Sequence, residues 1–354
     1  MTGVTVPSRT GSPGPDVLDG GDGPDLGAFE ELTEPLRREL TAHCYRMLGS
    51  VHDAEDHVQE TYLRAWRSFA GFENRSSLRT WMYRIATNVC LTGLESRSRR
   101  PLPTGLGQPS SDPTGQLESR PEVGWLEPLP DALVWGRPGE DPAGDVVTRE
   151  SVRLAFVAAL QHLTPQQRAV LILRDVLTWR ASEVAATLGI TTAGVNSTLQ
   201  RARAQVASLT PDDRPEPLGD ARTQELLADY VAAFEDYDVR RIVSLLTADA
   251  VWEMPPFTGW FQGAADIGRL ISSQCPAERA GDMRLVPTAA NGGPAFGLYM
   301  RGPDGVHRPF HLQQLTLVAG RVQHVTAFFD TGLFARFGLP ATMEGRPAGA
   351  ARVP

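Results

Sequence analysis

The chain has 354 residues, more than one typical domain holds, so two or three domains are expected. Hydrophobic residues make up 41%, with no apolar run long enough to cross a bilayer and no charged-then-apolar leader in MTGVTVPSRTGSPGP, which reads as a cytoplasmic globular protein. A net charge of -8 excludes indiscriminate nucleic-acid binding by the whole surface, and Cys44, Cys90 and Cys275 lack the spacing of a disulfide framework or zinc site, so no metal or cofactor is expected.

Residues 1–27 are rich in Gly, Pro, Ser and Asp and are expected to form a disordered tail. Helical periodicity then begins near Ala28, with Leu32, Leu36, Leu40 and Cys44, then Tyr45 and Leu48, as a buried stripe that ends at Gly49-Ser50. Asp53 opens the next helix, DAEDHVQETYLRAWR. At 100° per residue, Asp53, Asp56 and Glu60 share one face with Gln59 beside them, while Val58, Tyr62, Ala65 and Phe69 lie opposite. The wet side is therefore a compact acidic patch. A third helix, capped by Ser76 or Ser77, runs Leu78, Trp81, Met82, Ile85 and Val89 along its core face. Arg97, Arg99 and Arg100 close this first domain, residues 28–100.

Residues 101–146 change composition sharply, and their recurrent Pro and Gly predict a flexible linker with an apolar docking segment at Trp125, Leu126, Leu129, Leu133, Val134 and Trp135. A second all-helical domain is expected over 147–208. Thr164-Pro165 caps one of its helices, and Ser182, Leu188-Gly189-Ile190 and Thr191 fit the cap, turn and second cap of a helix-turn-helix. Ala185, Leu188, Ile190, Val195 and Leu199 supply its core, and Thr192, Asn196, Ser197, Gln200, Arg201 and Arg203 project outward. After a short linker at 209–217, residues 218–339 read as two helices followed by β-rich segments, an α+β layout with a curved antiparallel sheet over helices; 340–354 read as a tail.

Acid patch, aromatic and arginine-bearing run (FENRSSLRTWMYRIATNVCL) and basic end (ESRSRR), in that order, resemble region 2 of a bacterial RNA polymerase sigma factor of the extracytoplasmic-function (ECF) type. The helix-turn-helix resembles region 4 of the same family. The resemblance implies two all-α domains that bind core RNA polymerase, at the largest-subunit clamp helices and the flap, and promoter DNA. By the same resemblance Asp53, Asp56, Gln59 and Glu60 grip the clamp helices, where charge complementarity sets register and on-rate. Asn74 and Ser76, in the loop from Phe72 to Ser77, would cradle a flipped base of the -10 element. Trp81, Tyr83, Arg84 and Asn88 would hold separated strands, although Trp81 fits the core equally well. Arg97, Arg99 and Arg100 suit phosphates. In the -35 element, Thr192, Asn196, Ser197 and Gln200 would meet base edges or phosphates, with Arg201 and Arg203 on phosphates. Many relatives carry basic residues where this chain has Asn196 and Thr198, which implies weaker non-specific affinity and a flatter salt dependence.

The C-terminal portion resembles a SnoaL-like domain, the cone-shaped α+β fold shared with nuclear transport factor 2 and ketosteroid isomerase. The resemblance implies a pocket for a small-molecule ligand, lined by Trp252, Met254, Trp260, Phe261, Phe310 and Phe328, with Glu253, His311, Gln313, His324 and Asp330 as polar candidates. The aromatic residues fit a plain core as well. No catalytic acid–base pair assembles from the sequence, so the expected role is regulatory and not enzymatic. Two rival readings stand beside the sigma factor: a helix-turn-helix regulator with a sensing domain, and a SnoaL-fold isomerase or hydrolase.

Overall fold

The computed structural model describes residues 26–73, 76–95, 99–135, 148–209 and 221–344. The tail calls at 1–25 and 345–354, the linker calls at 136–146 and 210–217, and the site calls Asn74 and Arg97 lie outside the described residues. No described helix is long and apolar enough to cross a membrane.

The chain begins with α1 (Leu26–Thr33), α2 (Arg37–Leu48), α3 (Val51–Ser68) and α4 (Leu78–Leu94). Gly49 ends α2 at φ 71°, and its N–H donates to the Tyr45 carbonyl, a left-handed cap that glycine adopts without strain. Ser50 then caps α3 by accepting from the Asp53 N–H, and Ser77, not Ser76, caps α4 by accepting from Thr80. Leu32, expected in the buried stripe, is 55% exposed. The 3-10 turn Glu34–Leu36, with Pro35 inside it, resets the helical phase, so α1 buries Phe29 and Thr33 instead.

The second helical group comprises α5 (Ala132–Trp135), α6 (Leu154–Leu160), α7 (Pro165–Leu171), a π turn at Ile172–Val176, α8 (Ala181–Leu188) and α9 (Thr192–Ala207). Thr164 and Gln167 form the capping box that opens α7. The expected Ser182 cap is displaced: the cap is Arg180 and α8 starts two residues earlier, with the Arg180 N–H donating to the Glu183 carboxylate.

These two helical groups share one core. The Tyr83 ring of α4 meets Trp179 edge-on at 6.2 Å. Arg46, 1% exposed, donates to the Ser151 carbonyl and hydroxyl at 3.0 and 2.7 Å, and Arg168 donates to the carbonyls of Met47 and Leu160. Burial lowers both guanidiniums to about 10, still protonated at neutral pH. Buried cations that end on carbonyls of the other group make separation costly.

Residues 101–135, expected to be a flexible linker, form an ordered strap across the molecule. Ser111 N–H donates to Trp260 O at 2.7 Å, Arg120 N–H to Pro256 O at 2.9 Å, and Leu126 N–H to Pro101 O at 3.0 Å. Leu126 and Leu129 are fully buried, each gaining roughly 2 kcal/mol over exposure, and so pin the strap at its centre. Proline and glycine composition describes this strap's lack of any long helix, not its freedom.

The C-terminal domain holds α10 (Ala221–Glu235), α11 (Val239–Leu245), α12 (Ala264–Gln274) and α13 (Leu333–Arg336) around β1 (Leu246–Glu253), β2 (Trp260–Gln262), β3 (Met283–Ala290), β4 (Gly293–Arg301), β5 (His307–Val318) and β6 (Arg321–Phe328). The strands form one sheet ordered β2-β1-β6-β5-β4-β3, antiparallel except for β1 and β6, which is the cone-shaped SnoaL-like arrangement. Its helix-covered side buries Tyr230, Phe234, Trp252, Phe261, Phe296 and Val325. The remaining apolar residues, Tyr299, Leu312, Phe328, Leu333 and Phe334, join the same cluster as the helical half.

Candidate functional site

The acidic face of α3 divides in two. Asp56 and Gln59 are exposed, and Glu60 is partly exposed, accepting from Arg64 Nε at 2.6 Å, a bond that lowers its pKa. Asp53 is a correction. It is 9% exposed and its Oδ2 accepts from Arg100 Nη2 at 2.6 Å, so it is spent inside the protein. Arg100, expected on phosphate, is held there, with Nη1 donating to Trp125 O at 3.0 Å. A groove of about 1180 Å3 borders the exposed acids, and α5 and α13 also wall it. Arg336 of α13 lines this groove and pairs with Glu55 of α3, a contact no sequence pattern marks.

On α4, Arg84 and Asn88 are exposed one helical turn apart. Trp81 is half-buried, its ring 4.8 Å from Phe72 and 6.3 Å from Phe69, and Ser76 is half-buried beside this cluster in sequence. Tyr83 is a second correction. At 1% exposure it donates to Glu39 Oε2 at 3.1 Å, and burial raises its phenol above the usual range. Its phase on α4 points into the core beside Met82. Arg99 is exposed, with Nη1 3.0 Å from His162 Nδ1.

In the helix-turn-helix, Gly189 makes the turn at φ 65° and Thr191 caps α9 by accepting from Gly194 N–H. Val195, Leu199 and Ala202 fix α9 in the core, which leaves Thr192, Asn196, Ser197, Gln200 and Arg201 exposed. Arg203 is also exposed, but donates to both Asp175 carboxylate oxygens at 2.8 and 2.7 Å. Thr198 is buried, so a base there would not reach outward from this backbone.

The residues expected to line one pocket in the C-terminal domain do not converge. Trp252, Met254 and Phe261 lie in the core shared with the α10–α12 helices, whereas Phe328 belongs to the core shared with the helical half. Trp260 is held by the strap, its Nε1 donating to Gln108 O at 3.0 Å, Phe310 packs on Phe329, and Asp330 is exposed. His311 Nε2 lies 2.9 Å from the Gln313 amide, whose Oε1 accepts from Tyr230; burial lowers His311 to about 3, so it is neutral. Sequence reasoning missed a carboxylate–imidazole pair. The parallel β1/β6 register brings His324 Nε2 to 2.8 Å from Glu253, which is fully buried. The other Glu253 oxygen accepts from Thr104 N–H at 3.0 Å and Thr104 Oγ1 at 2.9 Å, so the pair anchors the strap.

One junction residue escaped notice altogether. Asn291, in the β3–β4 turn at φ 56° and 2% exposed, donates Nδ2 to Tyr45 OH at 2.8 Å and to Val152 O at 2.6 Å. Its Oδ1 accepts from Leu129 N–H at 2.9 Å. A single amide thus ties α2, the strap, the second helical group and the sheet. Beside it Asp131 accepts from Gly292 N–H at 2.8 Å with Arg149 at 3.7 Å, and burial raises its carboxyl to about 6.

The chain matches the Sigma-70 region 2 family over residues 32–100 and the Sigma-70 region 4 family over 153–206. It is 60% identical over 319 residues to the ECF RNA polymerase sigma factor SigG of Mycobacterium tuberculosis, covering 90% of this chain and 85% of that protein. It is 32% identical over 237 residues to the ECF RNA polymerase sigma factor SigJ of the same organism, covering 66% and 65%. The crystal structure of M. tuberculosis SigJ shares the fold, with a TM-score of 0.59 at 24% identity over 90% of this chain and all of that one.

Proposed function

The chain belongs to the ECF RNA polymerase sigma factors, and from that premise we propose that its C-terminal domain holds the two sigma domains together until polymerase and promoter draw them apart. The observation that carries this reading is the Asn291 junction, where one side chain satisfies groups on both sigma domains and the strap. The -10 and -35 elements are about 25 base pairs apart, roughly 85 Å of B-form DNA. In the closed arrangement Tyr83 and Trp179 touch, so the sigma domains cannot span that length until they part.

Asp56, Gln59 and Glu60 are the face for the polymerase clamp helices, with Arg84 and Asn88 for the opened -10 strand. Thr192, Asn196, Ser197, Gln200 and Arg201 are the face for the -35 element, and the flap is the second polymerase contact. Their exposure supports these roles, while the pairing of Asp53 and Arg100 argues for structural duty at those two positions. The chain acts by binding and strand opening; Glu253 and His324 serve the strap and not a reaction.

Promoter-specific transcription with purified core polymerase tests the proposal. Asn291→Gly removes the amide without straining a left-handed backbone, and should raise initiation above the native chain. Asp56→Arg should abolish it. Unchanged or lower initiation by a folded Asn291→Gly chain would sink the restraint, and initiation retained by Asp56→Arg would sink the assignment of the polymerase face.

A further inference from the structure

We propose that a cavity at the seam between the strap and the C-terminal domain binds a small organic ammonium ion. The cavity, about 350 Å3, lies at the lower end of the range for ligand pockets. Strap residues 121–127 form one wall, and Pro255, Pro256 and the loop after β6 form the other. Its aromatic lining is Trp125, Phe328 and Phe329, and aromatic rings attract cations.

The polar groups select the sign of the charge. One guanidinium, Arg100, and two carboxylates, Glu127 and Asp330, border the space. Arg100 is already engaged by Asp53 and by Trp125 O, and Glu127 Oε2 already accepts from Ser50 and His52. The Trp125 indole N–H is spent on Arg120 O at 2.9 Å. Asp330 remains as an exposed carboxylate whose Oδ1 is oriented by Gly332 N–H at 2.9 Å. An anion would find its cation taken and a carboxylate opposing it. A protonated amine on an apolar body finds aromatic walls and the side chain of Asp330.

Such a ligand would tie the strap to the C-terminal domain and so favour the closed arrangement; this consequence, unlike the site itself, rests on the restraint proposed above. Isothermal titration of the full chain with phenethylamine and with 2-phenylethanol, its uncharged counterpart, tests the site. The amine should bind at least about fivefold tighter than the alcohol, the difference that the Asp330 carboxylate adds for a charged head group. Asp330→Asn should bring the two within about twofold, and Val123→Trp, which fills the cavity from the strap side, should weaken both about tenfold or more. Absence of binding up to about 10 mM, equal affinities for the native chain, or full binding by a folded Val123→Trp chain would overturn the site. Amine binding as expected with unchanged affinity for core polymerase would overturn only its link to closure.

Discussion

The helical half and the C-terminal domain use polar side chains in opposite ways. On α3, α4 and α9, Asp56, Gln59, Arg84, Asn88, Asn196 and Gln200 face water. In the C-terminal domain Glu253, Gln313 and Asn291 are buried and bonded to partners from the strap, α10 and α2. A group that faces water keeps its hydration until a partner arrives, so it is cheap to hold ready. A buried group has committed its desolvation already and is stable only with its internal partners in place. The exposed faces of the first half are built to be recognised, and the buried groups of the second to hold.

The largest effect should come from the exposed side. Asp56→Arg places a cation where a basic clamp helix would dock, and like charges across an interface cost several kcal/mol, so core-polymerase affinity should fall on the order of 100-fold or more. Fluorescence anisotropy with labelled polymerase would measure it, and the melting temperature should stay put because Asp56 is exposed. A loss of stability instead would place Asp56 with the holding groups.

Asn291→Gly should show the reverse pattern. It leaves Leu129 N–H and Val152 O without their partner, costing roughly 2–4 kcal/mol of junction stability. Hydrogen exchange should accelerate first at 126–131 and 148–153, before the centre of α3 responds. Uniform acceleration along the chain would mean the junction is not a separable unit.

How far these roles could be read in advance depended on how local the cause was. The α3 periodicity, the Thr164 cap and the Gly189 turn are set by neighbours within a few residues, and each was legible. Asp53 and Asp56 look alike in sequence; what separates them is Arg100, 47 residues away. Glu253 and His324 meet across 71 residues through strand register, and Asn291 reaches Tyr45 across 246. The strap was misjudged for a related reason. Its backbone groups are satisfied by distant segments, so local composition reads as freedom.

Acidity offers a finer cut through the junction. Burial raises the Asp131 carboxyl to about 6, above its ordinary 3.8. The folded protein therefore holds a proton that the unfolded chain releases. The Asp131 contribution to stability is fully present below about pH 4 and is lost as pH rises through about 6. Asp131→Asn keeps an oxygen for Gly292 N–H and removes the charge, so it should flatten the pH slope of stability between about 4 and 6.5. At pH 7 it should stabilise the junction by roughly 2 kcal/mol, the raised carboxyl pKa already including the opposing pull of Arg149. Denaturant melts across that range measure both, and an unchanged slope would mean water reaches Asp131 freely.

The smallest effect tests whether one residue belongs to both classes. Arg203 lies on the exposed side of α9 yet bonds both oxygens of Asp175, 59% and 30% exposed respectively. If the pair is a holding contact, Arg203→Ala should lower stability measurably; exposed ion pairs rarely contribute more than about 0.5–1 kcal/mol, so a shift below about 0.5 is expected. If Arg203 instead leaves Asp175 for a phosphate, the variant should weaken DNA binding equally on all sequences and reduce the salt slope by about one unit. Asp175→Asn then separates the two duties. It frees the guanidinium and should strengthen DNA binding modestly where Arg203 meets phosphate. An unchanged salt slope in both variants would leave Arg203 on the holding side, and would show that exposure alone does not assign a residue to the recognition face.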